Sequence, residues 1–368
     1  MVGLGIFHAW SLFVGGLEAR LDLSRAAVSS VYAAAVGAFT LSMLLAPRLS
    51  RRASPSVNAA GAGLLAAAGL LIASTGAAWA LWVGYAGLFG IANGLGYSVA
   101  LQTVQLALPE RRGFATSLAV TAYAVGPAAF APLLELSIRR VGVLETFALI
   151  AAGVALVGLL QLALLAGFRL PAEAAAEPHD EQVPLHDRTF RVLWLGFFLS
   201  AAAGLAALAH AAAIISSLGG AAATAALGAA LIALGNALGR LLGGSLTDAL
   251  EVRFVLLAAG AVGACALLVG AWLDSPGTGL AALAGAGLSY GAISSAYPAA
   301  TGHFYGVARV SHVYGRLFTA WGAAGLTAPV AAGLAFDLAG SYTIVLLAAA
   351  VAAAASAGTA LLLPRTGV

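Results

Sequence analysis

One arginine is set apart by its position. Arg240 lies in ALIALGNALGRLLGGSLTDAL, eight residues before the next charge, Asp248. At 1.5 Å per helical residue its Cα is roughly 12 Å inside the helix end, where the half-thickness of a hydrocarbon core is about 15 Å. A guanidinium at that depth costs about 2.5–3.5 kcal/mol on insertion scales, so it must face a polar cavity or a partner. No Asp or Glu is placed at similar depth in any span of the sequence. A cation beside a water-filled path is suited to an anionic ligand, and Arg can grip a carboxylate through two parallel hydrogen bonds. The alternative is a side chain that snorkels to the headgroups.

The other polar residues inside apolar runs are fewer and less specific. Asn236 lies one turn before Arg240 on the same face and can orient the guanidinium or a substrate oxygen. Gly235, Gly239 and Gly243 make a four-spaced small stripe, which reads as a helix-packing face. His8 and His210 are the imidazoles within spans. Either can titrate and couple protons to transport, although a hydrogen-bonded structural histidine is the commoner case. His303 and His312 fall at a helix end and no special role is expected of them. Tyr97, Tyr123, Tyr290, Tyr297 and Trp321 sit well inside spans, whereas aromatics favour the interfaces. They line a cavity or pack in the core with their hydroxyls satisfied, and both readings stay open. The segment GRLLGGSLTDALEVR places Gly244, Asp248 and Arg253 at a helix–loop junction in the manner of a conformational latch. The corresponding segment APRLSRRAS keeps only the basic part. There is no nucleophile–base pair and no cluster of metal-ligand residue types, so neither an enzyme nor a metal or cofactor is expected. Cys265, alone in an apolar run, excludes an intrachain disulfide.

The elements that carry these residues are apolar blocks of about twenty residues, the length that crosses a bilayer. Of 368 residues 62% are hydrophobic and only 8% charged, against about 25% charged in a soluble domain. No soluble globule hides that much apolar surface, so the solvent is lipid. Gly and Ala allow close helix approach, although all 17 basic residues being Arg also points to compositional bias. The predicted spans are 1–18, 26–47, 57–76, 79–106, 114–136, 144–168, 190–215, 222–247, 253–273, 278–304, 312–336 and 342–363. The first starts at Met1 with no flanking charge, as if residues before it were missing. No basic n-region precedes it, so no cleavable signal peptide is expected. The Pro- and acid-rich stretch 169–189 reads as a solvated linker between an N-terminal bundle (1–168) and a C-terminal bundle (190–368). With the N-terminus inside, the inner segments carry twelve Arg and the outer loops four, Arg20, Arg25, Arg139 and Arg140. That asymmetry predicts cytoplasmic termini and a cytoplasmic linker in the plasma (inner) membrane. The net charge of +3 is a topology signal and not a sign of nucleic-acid binding. Six plus six helices around a polar linker is the all-α architecture of major facilitator transporters, with binding near the midplane.

Several segments resemble the oxalate/formate antiporter and monocarboxylate transporter branch of that superfamily. They are IFHAWSLFVGGLE in the first span, GIANGLGYSVALQT to LPERRGFATSLAV across the fourth and fifth, NALGRLLGGSLTD in the eighth, and SYGAISSAYPAATGHFYG to YGRLFTAWGAAGLTAP across the tenth and eleventh. The resemblance covers nearly the whole chain. It implies alternating-access transport of a small organic anion such as oxalate, formate, lactate or pyruvate by a monomer, with Arg240 as the carboxylate ligand. Asn236 stands where monocarboxylate transporters have an Asp. Ala320 or Trp321 stands where the oxalate exchanger has a second cation, a Lys. The first span also lacks the Lys of animal monocarboxylate carriers. A monoanion therefore fits better than a dianion. The competing readings are an exporter of an uncharged or other small molecule, and a membrane sensor that keeps the fold without flux.

Overall fold

A computed structural model describes residues 1–23, 25–50, 54–165, 187–272 and 275–365. The described residues are helices joined by short turns, with no strand among them. Eight helices are long and apolar enough to cross a membrane: Pro55–Ala73, Ala78–Ala107, Val143–Leu164, Arg188–Ser217, Ala223–Ala249, Val252–Trp272, His312–Phe336 and Thr343–Ala360. Ser30–Ala46 is a shorter apolar stretch within the helix Arg25–Ser50. Arg112–Val141 and Pro276–Tyr305 are helices of 30 residues each, about 45 Å long at 1.5 Å per residue. The Arg residues at both ends of Arg112–Val141, and the many Gly, Ser and Thr residues of Pro276–Tyr305, make them less apolar. The all-α architecture read from the sequence is the one observed.

Local chemistry sets the helix ends. Ser54 and Ser275 each precede a Pro at the first helical position, and each Oγ accepts an N–H of the first turn, from Val57 and Thr278, which is N-capping with a pre-set φ. The linker 169–189 lies outside the described residues except for its last three. There Asp187 accepts from the N–H groups of Thr189 and Phe190 and starts Arg188–Ser217. Gly340, in the left-handed region at φ 68°, closes Val310–Ala339.

The described chain groups into two compact units. Unit 1 holds 1–107, 122–165 and 310–316, and unit 2 holds 108–121, 187–309 and 317–365. Two long helices are thus divided: Arg112–Val141 contributes its first turns to unit 2, and Val310–Ala339 its first turns to unit 1.

Two spans are less regular than expected. The first is not one helix over 1–18 but Val2–Gly5, a 3-10 turn Ile6–Ala9, and Ser11–Leu21. Gly5 packs so closely on Tyr123 that a Cβ would overlap its carbonyl. The Phe7 carbonyl accepts the Tyr85 hydroxyl at 3.1 Å. The fourth span begins with Ala78–Ala80 and a π-helical stretch, Leu81–Phe89, before Gly90–Ala107. Gly84 there meets the backbone of Gly69, again with no room for a Cβ. Tertiary backbone contact, which no local pattern records, sets both irregularities.

In unit 2 the glycine stripe is the packing face its spacing predicts. A Cβ on Gly235, Gly239 or Gly243 would overlap the carbonyl of Ala284, Leu288 or Ala292, and Gly287 and Gly291 stand in the same relation to Ile232 and Asn236. Ala222–Ala249 and Pro276–Tyr305 therefore interlock backbone to backbone, the close approach that lets dispersion hold helices together in lipid. Ser295 fastens the seam by donating to the Arg240 carbonyl at 2.6 Å.

Candidate substrate site

The interlocked seam fixes Arg240. Its side chain is 8% exposed, and it is the one charged residue in the buried set of the described residues. Nε donates to Asn236 Oδ1 at 3.0 Å, and one terminal nitrogen lies 3.4 Å from the Val120 carbonyl. Among the described residues no carboxylate pairs with it. Of five N–H donors in a fixed fork, two are engaged. Asn236 acts on the guanidinium as its spacing suggested. Tyr290 is buried on the facing helix, one residue before Gly291, which packs against the Asn236 and Arg240 backbone. The Tyr290 hydroxyl accepts the Trp321 indole N–H at 2.8 Å, and Trp321 stacks on Phe318 with ring centroids 4.8 Å apart. Arg240 and Asn236 thus form one bonded pair, and Tyr290, on the helix across the seam, forms another with Trp321. Tyr297 belongs to neither. Two turns on, it stacks on Phe197 at 4.6 Å, with its hydroxyl among Ser200 and Ser356.

Unit 1 carries the remaining aromatic candidates. His8 Nδ1 is 2.8 Å from the Tyr32 hydroxyl, and its ring lies edge-on to Tyr123 at 5.5 Å. Tyr123 donates to Asn93 Oδ1 at 3.0 Å, and Tyr97 meets the Tyr123 ring at 5.2 Å. Asn93, fully buried, passes the bond to the Phe89 carbonyl at 2.9 Å. His8, Tyr97 and Tyr123 belong together. Tyr32, Asn93 and the Val120 carbonyl were missed from sequence. Asn93 alone had a signal, as the one amide within GIANGLGYS.

The latch residues divide. Both Asp248 oxygens accept backbone N–H groups, from Gly113 and Phe114, at 2.7 Å each. The carboxylate so caps the first turn of Arg112–Val141, where the helix dipole favours a negative charge. Gly244 lies backbone to backbone with Gly113. Arg253 stays apart, 2.7 Å from Glu251 and over the Phe254 ring. A cavity of about 230 Å³ beside the cap is lined by Glu110, Thr247, Asp248 and His303, which gives His303 a setting its position in the sequence did not suggest.

His210 is engaged at both ring nitrogens. Nδ1 lies 3.1 Å from the Tyr342 hydroxyl and Nε2 3.1 Å from the Pro329 carbonyl. A neutral ring protonated on Nε2 satisfies both partners, and so does an imidazolium. A proton-coupling role for His210 makes one demand: His210→Gln abolishes pH-driven uptake and spares counterflow exchange. Unchanged pH dependence in that variant removes His210 from the mechanism.

Comparison with known proteins gives a consistent set. No protein-family profile matches the chain. The MFS-type transporter YhjX of Escherichia coli K12 is 26% identical over 333 residues, covering 87% of this chain and 81% of YhjX. The oxalate:formate antiporter of Oxalobacter formigenes is 25% identical over 228 residues, 56% of this chain and 50% of the antiporter. Among solved structures, the major facilitator transporter FucP in its outward conformation superposes with a TM-score of 0.77 at 18% identity over 99% of this chain and 98% of FucP. The proton:xylose symporter XylE follows at 0.72 and 15%, over 97% of this chain and 92% of XylE.

Proposed function

We propose that this chain, a multi-pass secondary transporter of the major facilitator type, carries a small monocarboxylate such as lactate, pyruvate or formate by alternating access. The observation that supports this reading is Arg240: a buried guanidinium with donors to spare and no carboxylate partner among the described residues. A bound carboxylate offsets its desolvation through charge-assisted bonds. Asn236 holds Nε and so aims the terminal nitrogens. Asp248 and Gly244 serve as the latch, and Arg253, held by Glu251, follows them in the chain without touching them. The chain acts as a monomer in the plasma membrane with both termini in the cytoplasm, as the Arg asymmetry argues.

Trp321 supports a monoanion over a dianion. Its indole N–H is committed to Tyr290, and a neutral ring there adds bulk and no second charge. Uptake into proteoliposomes, competed with lactate, pyruvate, formate and oxalate, is expected to rank the monoanions above oxalate. Tighter binding of oxalate than of every monocarboxylate counts directly against this reading.

A further inference from the structure

The two long helices divided between the units make two junctions, one inside each unit, and these differ in charge. In unit 2, Gly113 of Arg112–Val141 packs on Gly244, and Asp248 accepts from Gly113 and Phe114. In unit 1, Gly315 of Val310–Ala339 packs as closely on the helix Arg25–Ser50, where a Cβ on Gly315 would overlap the Met43 carbonyl. The segments that carry these contacts correspond, LLGGSLTD at 241–248 and LLAPRLSR at 44–51, and Arg51 stands where Asp248 does. At the unit 1 junction the two segments supply charge of one sign. Arg48 comes one turn after Leu44, and Arg316 follows Gly315; Arg51 and Arg52 come next in the sequence, outside the described residues. The segments bring no carboxylate of their own, because no Asp or Glu occurs between Asp22 and Glu110 or between Asp274 and Asp337. Guanidiniums gathered at the end of a span draw an anion.

We propose that unit 1 holds an anionic phospholipid at this junction, its phosphate on Arg48 and Arg316 and its acyl chains along Leu41 and Leu45. The lipid phosphate supplies there the negative charge that Asp248 supplies in unit 2. The kind of anion follows from the face below Arg48. Leu41, Leu45 and Arg48 fall at i, i+4 and i+7, on one side of the helix, and all three are exposed. That side is apolar surface ending in a guanidinium, which matches a lipid with its chains below and its headgroup above. A soluble anion would use the guanidinium and leave the leucines unused. The second and eleventh spans are an odd number of crossings apart, so they run antiparallel. Their contact lies seven residues before Ser50 and five after Val310. The ends that carry Arg48 and Arg316 therefore reach the same headgroup layer. There the planar fork of Arg matches two phosphate oxygens.

The test titrates the purified full chain, in neutral detergent, with phosphatidylglycerol and follows the melting temperature. Wild type is expected to show a saturable rise that phosphatidylcholine does not give. Arg48→Gln and Arg316→Gln are each expected to raise the half-saturating lipid concentration about fivefold, the share of one arginine at a charged membrane surface, and the double variant about twenty-five-fold. Arg20→Gln, at the other end of a span, is expected to leave the titration unchanged. A wild type that responds equally to both lipids overturns the proposal, and so does a double variant that titrates like wild type. Inorganic phosphate, which has no chains to lay on Leu41 and Leu45, is expected to give no rise. A rise with phosphate as large as that with phosphatidylglycerol, lost in the double variant, assigns the arginines to a soluble anion and overturns the lipid. A second measurement needs no substitution. Native mass spectrometry of delipidated wild type, given equal amounts of the two lipids, is expected to show one phosphatidylglycerol retained at collision energies that strip phosphatidylcholine. Equal loss of both overturns the proposal.

Discussion

Arg240→Ala abolishes carboxylate uptake into proteoliposomes while the protein still inserts. The substitution removes a buried charge that costs about 2.5–3.5 kcal/mol at the centre of a span, so insertion is relieved and not impaired. What is lost is the fork that, on the proposed reading, grips the carboxylate. The side chain's own commitments are slight: one bond to Asn236 and a long contact to the Val120 carbonyl. Truncation therefore leaves no buried ion without its partner, the usual cause of a large folding penalty. Arg240→Lys keeps the charge and gives up the planar geometry and the Nε–H that Asn236 holds. Uptake should fall strongly, with insertion intact. A guanidinium that snorkelled to the headgroups would touch no substrate, and both variants would then transport normally. Uptake normalised to inserted protein decides between them, and wild-type uptake by Arg240→Ala sinks the site and most of the case for an anion.

The sequence made Arg240 legible because charge in an apolar run is expensive, and depth can be counted from Asp248. The glycine stripe was legible for a related reason: spacing of four on a helix defines a face, and in lipid a small-residue face is a packing face. Other features were not, because their partners are remote in the chain. Asp248 faces the N–H groups of Gly113 and Phe114, about 135 residues away, whereas Arg253 turns to its chain neighbour Glu251. Tyr290 and Tyr297 look alike in one helix, yet Tyr290 bonds to Trp321 while Tyr297 stacks on Phe197. The 3-10 turn at His8 and the π stretch at Tyr85 arise where backbones touch at Gly5 and Gly84. An apolar run can announce a span, but not where its helix tightens or widens.

The seam that fixes Arg240 makes a second large effect, one whose sign depends on position. Gly291→Ala lowers both the melting temperature and uptake, and Gly153→Ala does neither. In a helix Ala is favoured over Gly by roughly 0.5–1 kcal/mol, because Gly loses more backbone freedom on folding. Gly153 has nothing within 4 Å of where a Cβ would stand, so the gain appears undiminished and the protein melts at the same temperature or higher. At Gly291 the Cβ would overlap the Asn236 carbonyl and come within 2.8 Å of the Arg240 nitrogen. Those atoms are backbone and cannot swing aside, so the two helices must part. Overpacking of this kind costs about 1–3 kcal/mol, which outweighs the propensity gain. The displacement falls on the turn that carries Asn236 and Arg240, and on the Ser295 bond to the Arg240 carbonyl. Transport should therefore fall further than stability alone explains, because a ligand group moved by about 1 Å loses its geometry. Thermal melting and normalised uptake of the two variants, side by side, provide the check. A Gly291→Ala protein that melts higher, as Gly153→Ala does, would show that the seam is looser than these contacts require and that it does not position the guanidinium.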